Sequence, residues 1–229
     1  TTTGLPMDII TDGSMEKWGL DADKNHLQLS VHAIGDKANS YMLDLYEKII
    51  KQNPKWDRRF RLEHAQHVRF EDIKRFAELG VIASVQPYHC IDDGVWAEKR
   101  IGPERIKYTY PFKSFLDAGV KMCFGTDWYV APLNPLLGIY AAVTRRTLDN
   151  KNPDGWIPEQ MISVEDAIKC YTINSAYASF EENIKGTIET GKLADLIILS
   201  DDILTIDPIK IKDAKVEMTM FDGKIIYNK

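Results

Sequence analysis

The sequence has 229 residues, of which 44% are hydrophobic and 28% are charged, and its formal net charge is −5. This composition is typical of an ordinary soluble globular protein, and the negative charge argues against a nucleic-acid-binding surface. No apolar run approaches the roughly 18 residues that a membrane-spanning helix needs. We therefore expect neither a nucleic-acid partner nor a membrane partner.

Three cysteines, Cys90, Cys123 and Cys170, lie far apart in the sequence and lack the spacing of a metal site. Their number and positions predict free, mostly buried thiols in a reducing compartment, and hence a cytoplasmic protein. The chain begins with Thr1 rather than with Met. The sequence therefore leaves open a secretory signal upstream of that residue.

The first recognisable strand ends in a histidine. A short helical candidate near residues 14–23 precedes a strand at about 27–33, in which apolar and polar residues alternate with the period of a half-buried strand. His32 lies at the carboxyl end of that strand. Asp36 is expected to cap the helix that follows, and Asn53-Pro54 to end it.

The same strand–loop–helix unit recurs three times. A second strand leads into His64 and a helix at 70–79, which Gly80 ends. A third strand, at 81–87, is almost continuously apolar, as a parallel sheet requires. A fourth strand, at 120–125, leads to Asp127. Two long segments separate the later units and are predicted to be functional loops; they are residues 89–110 and 128–162.

The end of the chain changes character. Residues 186–229 predict β-strands, two of them joined by the hairpin turn signal Asp222-Gly223. Four parallel units are half of an eight-stranded barrel, so the chain is either a small doubly wound domain or the second half of a TIM-type (β/α)8 barrel. The β-rich tail favours the half barrel, because it resembles half of a separate sandwich. The predicted domains are a catalytic partial barrel at 1–185 and a β-sandwich segment at 186–229.

Polar side chains end three of the predicted parallel strands. In α/β barrels the chemistry lies at the carboxyl ends of the strands, so His32, His64 and Asp127 are expected to converge on one site. His67 lies in a strand-to-helix loop and is expected not to be a ligand. Candidate substrate contacts, from the loops near this edge, are His89, Trp96 and Trp128.

Several separated segments resemble the amidohydrolase superfamily, in particular the branch that contains N-substituted formamide deformylases (amidohydrolase family 3). The segments occur in the family's order and cover nearly the whole chain. They are HAIGD at 32–36, RLEHAQ at 61–66, VIASVQPYH at 81–89, AGVKMCFGTDW at 118–128, WIPEQMISVEDAIKCYTINSAYASF at 156–180 and GTIETGKLADLIIL at 186–199.

The resemblance implies a role for each strand-end residue. His32 and His64 would be metal ligands, and Asp127 would bind metal and take a proton from the attacking water. The implied cofactor is a divalent metal in a mono- or binuclear site of the full-length protein. Imidazole and carboxylate donors favour zinc as that metal. The family also supplies a His-x-His pair from its first strand, which is missing among the five histidines of this chain. The isolated chain is therefore expected to hold an incomplete site, little or no metal, and no activity.

The leading hypothesis is the C-terminal portion of a hydrolase that cleaves a non-peptide C–N bond of an amide, formamide or cyclic amide with metal-activated water. A deaminase on the same scaffold is a second reading, and a metal-free relative with a binding or regulatory role is a third. The expected partner is a small-molecule substrate. The open barrel edge is expected to need the missing N-terminal half or an oligomeric partner to cover it.

Overall fold

The structure, a computed structural model, describes residues 4–229. It consists of two compact units. The first comprises the described residues up to Ser84 together with Ala97–Lys121, and the second comprises Val85–Trp96 and Met122–Lys229. The predicted domain boundary after residue 185 divides the chain differently, and it stays a prediction.

Ten α-helices and seven strands lie within the described residues. The helices are α1 (Asp8–Thr11), α2 (Ser14–Lys24), α3 (Asp36–Gln52), α4 (Phe70–Leu79), α5 (Pro87–Asp93), α6 (Ala97–Arg105), α7 (Phe112–Asp117), α8 (Pro135–Thr144), α9 (Val164–Tyr171) and α10 (Ile173–Ala178). The strands are β1 (Ser30–Ala33), β2 (Arg61–His64), β3 (Ile82–Val85), β4 (Met122–Phe124), β5 (Leu196–Leu199), β6 (Val216–Phe221) and β7 (Lys224–Asn228). Short 3-10 helices cover Ile106–Tyr108, Pro158–Gln160 and Pro208–Asp213.

The first four strands form one sheet in the order β1-β2-β3-β4, and β1, β2 and β3 pair in parallel. In the first unit, the Ala83 backbone N–H donates to the carbonyl of Lys121 at 2.9 Å. In the second unit, Gly125 N–H donates to the carbonyl of Val85 at 3.0 Å. Most residues of β3 and all of β4 are buried, as expected of parallel strands covered on both faces. An α/β fold with a parallel sheet is thus confirmed.

The first unit packs amphipathic helices against its strands. Helix α3 buries one apolar stripe, which includes Leu43, Tyr46 and Ile49, and it ends before Asn53-Pro54 as predicted. Its start differs from the prediction, because the N-cap is Gly35. Asp36 is instead the first helical residue, where its carboxylate interacts favourably with the positive end of the helix dipole.

A buried ion pair joins α2 to the segment that leads into β2. The Asp23 carboxylate accepts from Arg58 Nε at 2.7 Å, from Trp56 Nε1 at 2.7 Å and from Asn53 Nδ2 at 2.9 Å. Burial by itself raises the pKa of Asp23, but the bonds from Arg58, Asn53 and Trp56 outweigh it, and the pKa lies below its ordinary value. The carboxylate therefore stays ionised and fixes α2 to the chain before β2.

The segment at 89–110, predicted to be a long loop, is largely helical. It contains the end of α5, all of α6 and the 3-10 turn at Ile106–Tyr108. Its last residues are bonded to the loop after β2, because Val68 N–H donates to the carbonyl of Tyr108 at 3.1 Å, and Tyr110 N–H to that of Gln66 at 2.7 Å. The segment is therefore ordered structure rather than a free lid.

Helices α8 and α9 of the second unit begin with side-chain caps. Asn134 Oδ1 accepts from Leu136 N–H at 3.0 Å, and Ser163 Oγ accepts from Asp166 N–H at 3.0 Å. Ser163 followed by Asp166 is the sequence pattern of a capping box, and the structure shows its first bond together with a bond from the Ser163 hydroxyl to Asp166 Oδ2 at 2.7 Å. At Thr172 the backbone leaves helical geometry and separates α9 from α10.

The C-terminal strands form a separate antiparallel sheet in the order β5-β6-β7. The predicted hairpin turn is present, with φ of +48° at Asp222 and +73° at Gly223, the left-handed pair that such turns use. Asp195 Oδ1 accepts from Asp222 N–H at 2.8 Å and fixes the turn to the start of β5. Ile197 and Ile198 point to opposite faces, yet both are about half exposed.

The cysteines and helices agree with the composition. Cys90, Cys123 and Cys170 are buried thiols outside any disulfide, as predicted, and burial raises the pKa of the Cys90 thiol to about 11. Within residues 4–229, no helix combines the length and the apolar character that crossing a membrane requires.

Candidate functional site

Two of the predicted ligands lie side by side at the carboxyl ends of neighbouring strands. His32 is the third residue of β1 and His64 is the last residue of β2. The strands are parallel with Ala33 opposite His64, so both residues lie at the carboxyl-terminal end of the sheet. His32 Nδ1 is 2.7 Å from His64 Nε2, and the ring centroids are 4.8 Å apart.

The distance between the two nitrogens tests whether the pair suits a metal. At 2.7 Å the contact is a hydrogen bond in which one imidazole donates an N–H to the other. Two nitrogens that bind one tetrahedral zinc at about 2.0–2.1 Å lie roughly 3.3 Å apart. If the two nitrogens moved apart by a few tenths of an ångström and lost the proton that they share, both could therefore donate an electron pair to the same metal ion. His32 and His64 fit a metal of this kind.

Asp127 makes a second close pair, with His89. Asp127 follows β4, and His89 lies in the first turn of α5, which follows β3. His89 Nε2 is 3.1 Å from Asp127 Oδ2, and the side chains are 17% and 30% exposed respectively. The sequence predicts that His89 contacts substrate at the rim, and that role stays a prediction. The structure places its ring against the predicted proton acceptor.

The backbone is left-handed at two of the three predicted ligands, His64 and Asp127. The φ angle is +76° at His64, +40° at Ala65 and +58° at Asp127. Side chains other than glycine adopt this region at a cost of roughly 1 kcal/mol, and such residues cluster at functional sites. Two of the three residues to which the sequence assigns the chemistry therefore have a left-handed backbone.

Three side chains from α9 and α10 hold the backbone at the end of β4, and no pattern in the sequence points to them. Asn174 Nδ2 donates to the carbonyl of Met122 at 3.0 Å, and Ser175 Oγ to that of Phe124 at 3.3 Å. The Tyr171 hydroxyl donates to the carbonyl of Gly125 at 3.5 Å, a long bond. These bonds fix the strand up to two residues before Asp127. Only their position in a segment of family resemblance could have singled them out.

The other predicted contacts are less well defined by the structure. Trp128 is 65% exposed and Trp96 is 46% exposed, so their expected role in lining a pocket stays a prediction. His67 Nδ1 lies 2.9 Å from Thr109 Oγ1, and the two residues also form an isolated antiparallel bridge. That arrangement fits the expectation that His67 is not a ligand.

The described residues show two pairs rather than one larger group. Within residues 4–229, no three side chains of His, Cys, Asp or Glu are grouped in a way that would hold a metal ion. The histidine pair lies wholly in the first unit, and the His89–Asp127 pair lies wholly in the second. The assignment of His32, His64 and Asp127 to one site therefore stays a prediction.

Known proteins resemble the chain over almost all of its length. Protein LONG AFTER FAR-RED 3 of Arabidopsis thaliana is 40% identical over 228 residues, which are 99% of this chain and 39% of that protein. N-substituted formamide deformylase of Arthrobacter pascens is 29% identical over 212 residues, 91% of this chain and 38% of that protein. The chain thus spans about two fifths of the length of these curated relatives.

Solved structures give the same result for the fold. An uncharacterized metal-dependent hydrolase from Pyrococcus horikoshii OT3 superposes with a TM-score of 0.77 at 32% sequence identity, covering 91% of this chain and 40% of that one. The sequence profile of the amidohydrolase family matches residues 5–227. The resemblance seen in the sequence is confirmed, and the chain belongs to the amidohydrolase family.

Proposed function

We propose that the chain is the C-terminal portion of a metal-dependent hydrolase that cleaves a non-peptide C–N bond in an amide, a formamide or a cyclic amide. The observation that carries the proposal is the contact of His32 with His64 at the carboxyl ends of two neighbouring parallel strands. Family membership supports hydrolysis, and the relative named as a formamide deformylase supports the bond type.

The residues of the chain would divide the work of the site. His32 and His64 would bind a divalent metal through imidazole nitrogens, and Asp127 would add a carboxylate oxygen. These donors favour zinc. When bound, the metal polarises the scissile carbonyl and acidifies water. Asp127 would take the proton from the attacking water, which requires hydrogen-bond reach between its free oxygen and that water.

The rest of the proposed protein would complete both sheets. Within the described residues β1 pairs only with β2, which leaves one edge of the parallel sheet open to another strand. The antiparallel sheet leaves Ile197, Ile198 and Ile226 half exposed or more. We propose that the missing N-terminal half, or failing that an oligomeric partner, closes the TIM-type barrel and completes the sandwich.

The isolated chain is expected to hold clearly less than one zinc ion per molecule as purified. It lacks a His-x-His pair, so at most three proposed protein ligands remain for a site that the full-length protein would fill more completely. Elemental analysis after dialysis against metal-free buffer measures the ratio. A tightly held pair of metal ions in this chain would contradict the expectation, or show that another polypeptide completes the site.

A hydrolysis screen of the full-length gene product, with added zinc, tests the activity itself. Formamides, simple amides and cyclic amides are offered, and products are separated into amines, carboxylic acids and ammonia. An amine with its acid is the expected result. Ammonia released from an amidine-like carbon would replace the hydrolase by a deaminase. Absence of turnover, with no His-x-His on the first strand of the full gene, would contradict both and leave a metal-free relative.

A further inference from the structure

We propose that His89 is a positioning residue, which holds the carboxylate of Asp127 by one oxygen so that the other oxygen faces the reacting water. The inference rests on the proposed function, because it assigns His89 to the residue that takes the proton there. It differs from the role that the sequence suggests, since a rim histidine would contact substrate and not Asp127.

The backbone of His89 is held at the start of α5. Gln86 is the N-cap of α5, and buried Pro87 is its first residue. His89 N–H donates to the carbonyl of Gln86 at 3.1 Å, so the backbone that carries the imidazole is fixed directly to the end of β3. The side chain is mostly buried, with 17% of it exposed. A ring on a fixed backbone and with little freedom to rotate is suited to orienting another group.

A tight turn holds the backbone of Asp127. Its carbonyl accepts from Val130 N–H at 2.8 Å and from Ala131 N–H at 3.2 Å, so a tight turn closes over it. Its φ of +58° is fixed by that turn. The backbone is therefore set, and the remaining freedom of the carboxylate lies in its two side-chain torsions.

The side chains of His89 and Asp127 are in direct contact. His89 Nε2 lies 3.1 Å from Asp127 Oδ2, and because a carboxylate only accepts, the imidazole must donate the N–H. This bond restrains both torsions of Asp127 and engages Oδ2. Oδ1 is then the oxygen available to the water. Carboxylates and imidazoles that orient ligands in this way typically change metal affinity by about 10–100-fold when they are removed.

Cobalt(II) titration of the full-length gene product, in which the proposed metal site is complete, tests the role without relying on turnover when it is followed by visible absorption. His89→Ala is expected to weaken cobalt binding about tenfold. His89→Gln is expected to recover most of the loss, because the glutamine Nε2–H can donate at a similar reach. Asp127→Ala gives the full effect of losing the carboxylate. His26→Ala is the control, because that exposed histidine packs on the Trp56 ring with 5.1 Å between the ring centroids. The cobalt affinity of this variant should equal that of the wild type.

The outcomes separate this proposal from the proposed function. If Asp127→Ala weakens binding and His89→Ala does not, the positioning role is overturned while the metal site stands. If His89→Ala weakens binding more than Asp127→Ala does, His89 is itself a ligand and positioning is again wrong. If the wild type and Asp127→Ala bind cobalt with the same affinity, the carboxylate does not contribute to binding and the proposed use of Asp127 fails.

The hydrogen bond can also be tested when no metal is bound. In the chain labelled with ¹⁵N at histidine, the Nε2 resonance of His89 should carry a proton and shift in Asp127→Ala, while the resonances of His26 stay in place. An unchanged His89 resonance in that variant would overturn the proposal, whatever the cobalt titration shows. Far-ultraviolet circular dichroism of each variant identifies those that fail to fold, and the glutamine variant then replaces the alanine variant at position 89.

Discussion

Replacing Asp23 by alanine is expected to lower the free energy of unfolding by about 3–5 kcal/mol, the typical cost of leaving a buried charge unpaired. The side chain of Asp23 is completely buried, and that of its partner Arg58 is 8% exposed. Without the carboxylate, the Arg58 guanidinium remains inside with a carbonyl of the 53–54 segment as its main acceptor. Urea unfolding followed by circular dichroism measures the change.

Asp57→Ala is the matched control for this experiment. It removes a carboxylate from a neighbouring ion pair, with Arg59 at 2.8 Å, but Asp57 is 60% exposed. Exposed pairs contribute about 0–1 kcal/mol, so this variant should unfold close to the wild type. A cost below about 1 kcal/mol for Asp23→Ala, equal to that of the control, would show that the buried pair does not stabilise the first unit.

The contribution of Asp23 should also depend on pH in one direction. Its pKa is lowered in the folded protein, so the folded state binds the proton less readily than the unfolded state, whose carboxyl has a pKa of about 3.9. The stabilisation is therefore complete above that value and is lost as the pH falls through the lower, folded pKa. The difference in stability between wild type and Asp23→Ala should shrink only in that acidic range.

In the full-length protein, Asp127→Asn is expected to reduce kcat/KM by about 10²–10⁴-fold, the usual contribution of a general base. The amide keeps the size of the side chain but cannot accept a proton from water at neutral pH. It also cannot offer His89 a carboxylate oxygen at the 3.1 Å contact, although its amide oxygen can accept the same N–H. Initial rates on the best substrate of the screen, with zinc in excess, give the ratio.

Asp92→Asn serves as the control for loss of a carboxylate near this segment. Asp92 is an exposed residue of α5, three positions after His89, and its loss should leave kcat/KM within about twofold. If Asp127→Asn retained activity similar to that of this control, the proton would have to be taken by another group. The proposed role of Asp127 would then be wrong even if the protein is a hydrolase.

Much of the fold could be predicted because local chemistry determines it. Asn53-Pro54 ends α3, Gly80 ends α4 in a left-handed conformation, and the Ser163 cap starts α9. Each of these signals acts through the backbone of its own few residues, and tertiary contacts do not override it. The strand ends at His32 and His64 were placed correctly for the same reason, since alternation followed by glycine or a polar loop marks the end of a strand.

The helical segment between β3 and α7 could not be predicted from such signals. Helix α6 contains Gly102 at a φ of +81° and Pro103 next to it, and it buries only Ala97. It therefore has no apolar stripe for periodicity to detect. What orders the segment is pairing between residues distant in sequence, such as the bridge of His67 with Thr109. Pairings of this kind leave no pattern in the sequence.

The candidate site shows the same limit. The sequence predicts that His32 and His64 lie together at strand ends, and the structure shows the two rings in contact, while their role as ligands stays a prediction. It could not show that His89 faces Asp127, because the two residues belong to different strand–helix units. Nor could it show that Asn174 and Ser175 bind carbonyls of β4, since polar residues on a helix are usually solvated.

The left-handed backbone at His64 and Asp127 has a consequence for any selection that rewards only thermal resistance. At these φ angles of +76° and +58°, glycine relieves a steric penalty that every other side chain carries. Mutants with glycine at position 64 or 127 would therefore be enriched in a library screened by heat alone, and they would lack the imidazole or the carboxylate. Thermal stability favours glycine at these two positions, whereas the proposed chemistry requires the imidazole and the carboxylate. The design of a stabilised variant must therefore exclude both positions from mutation.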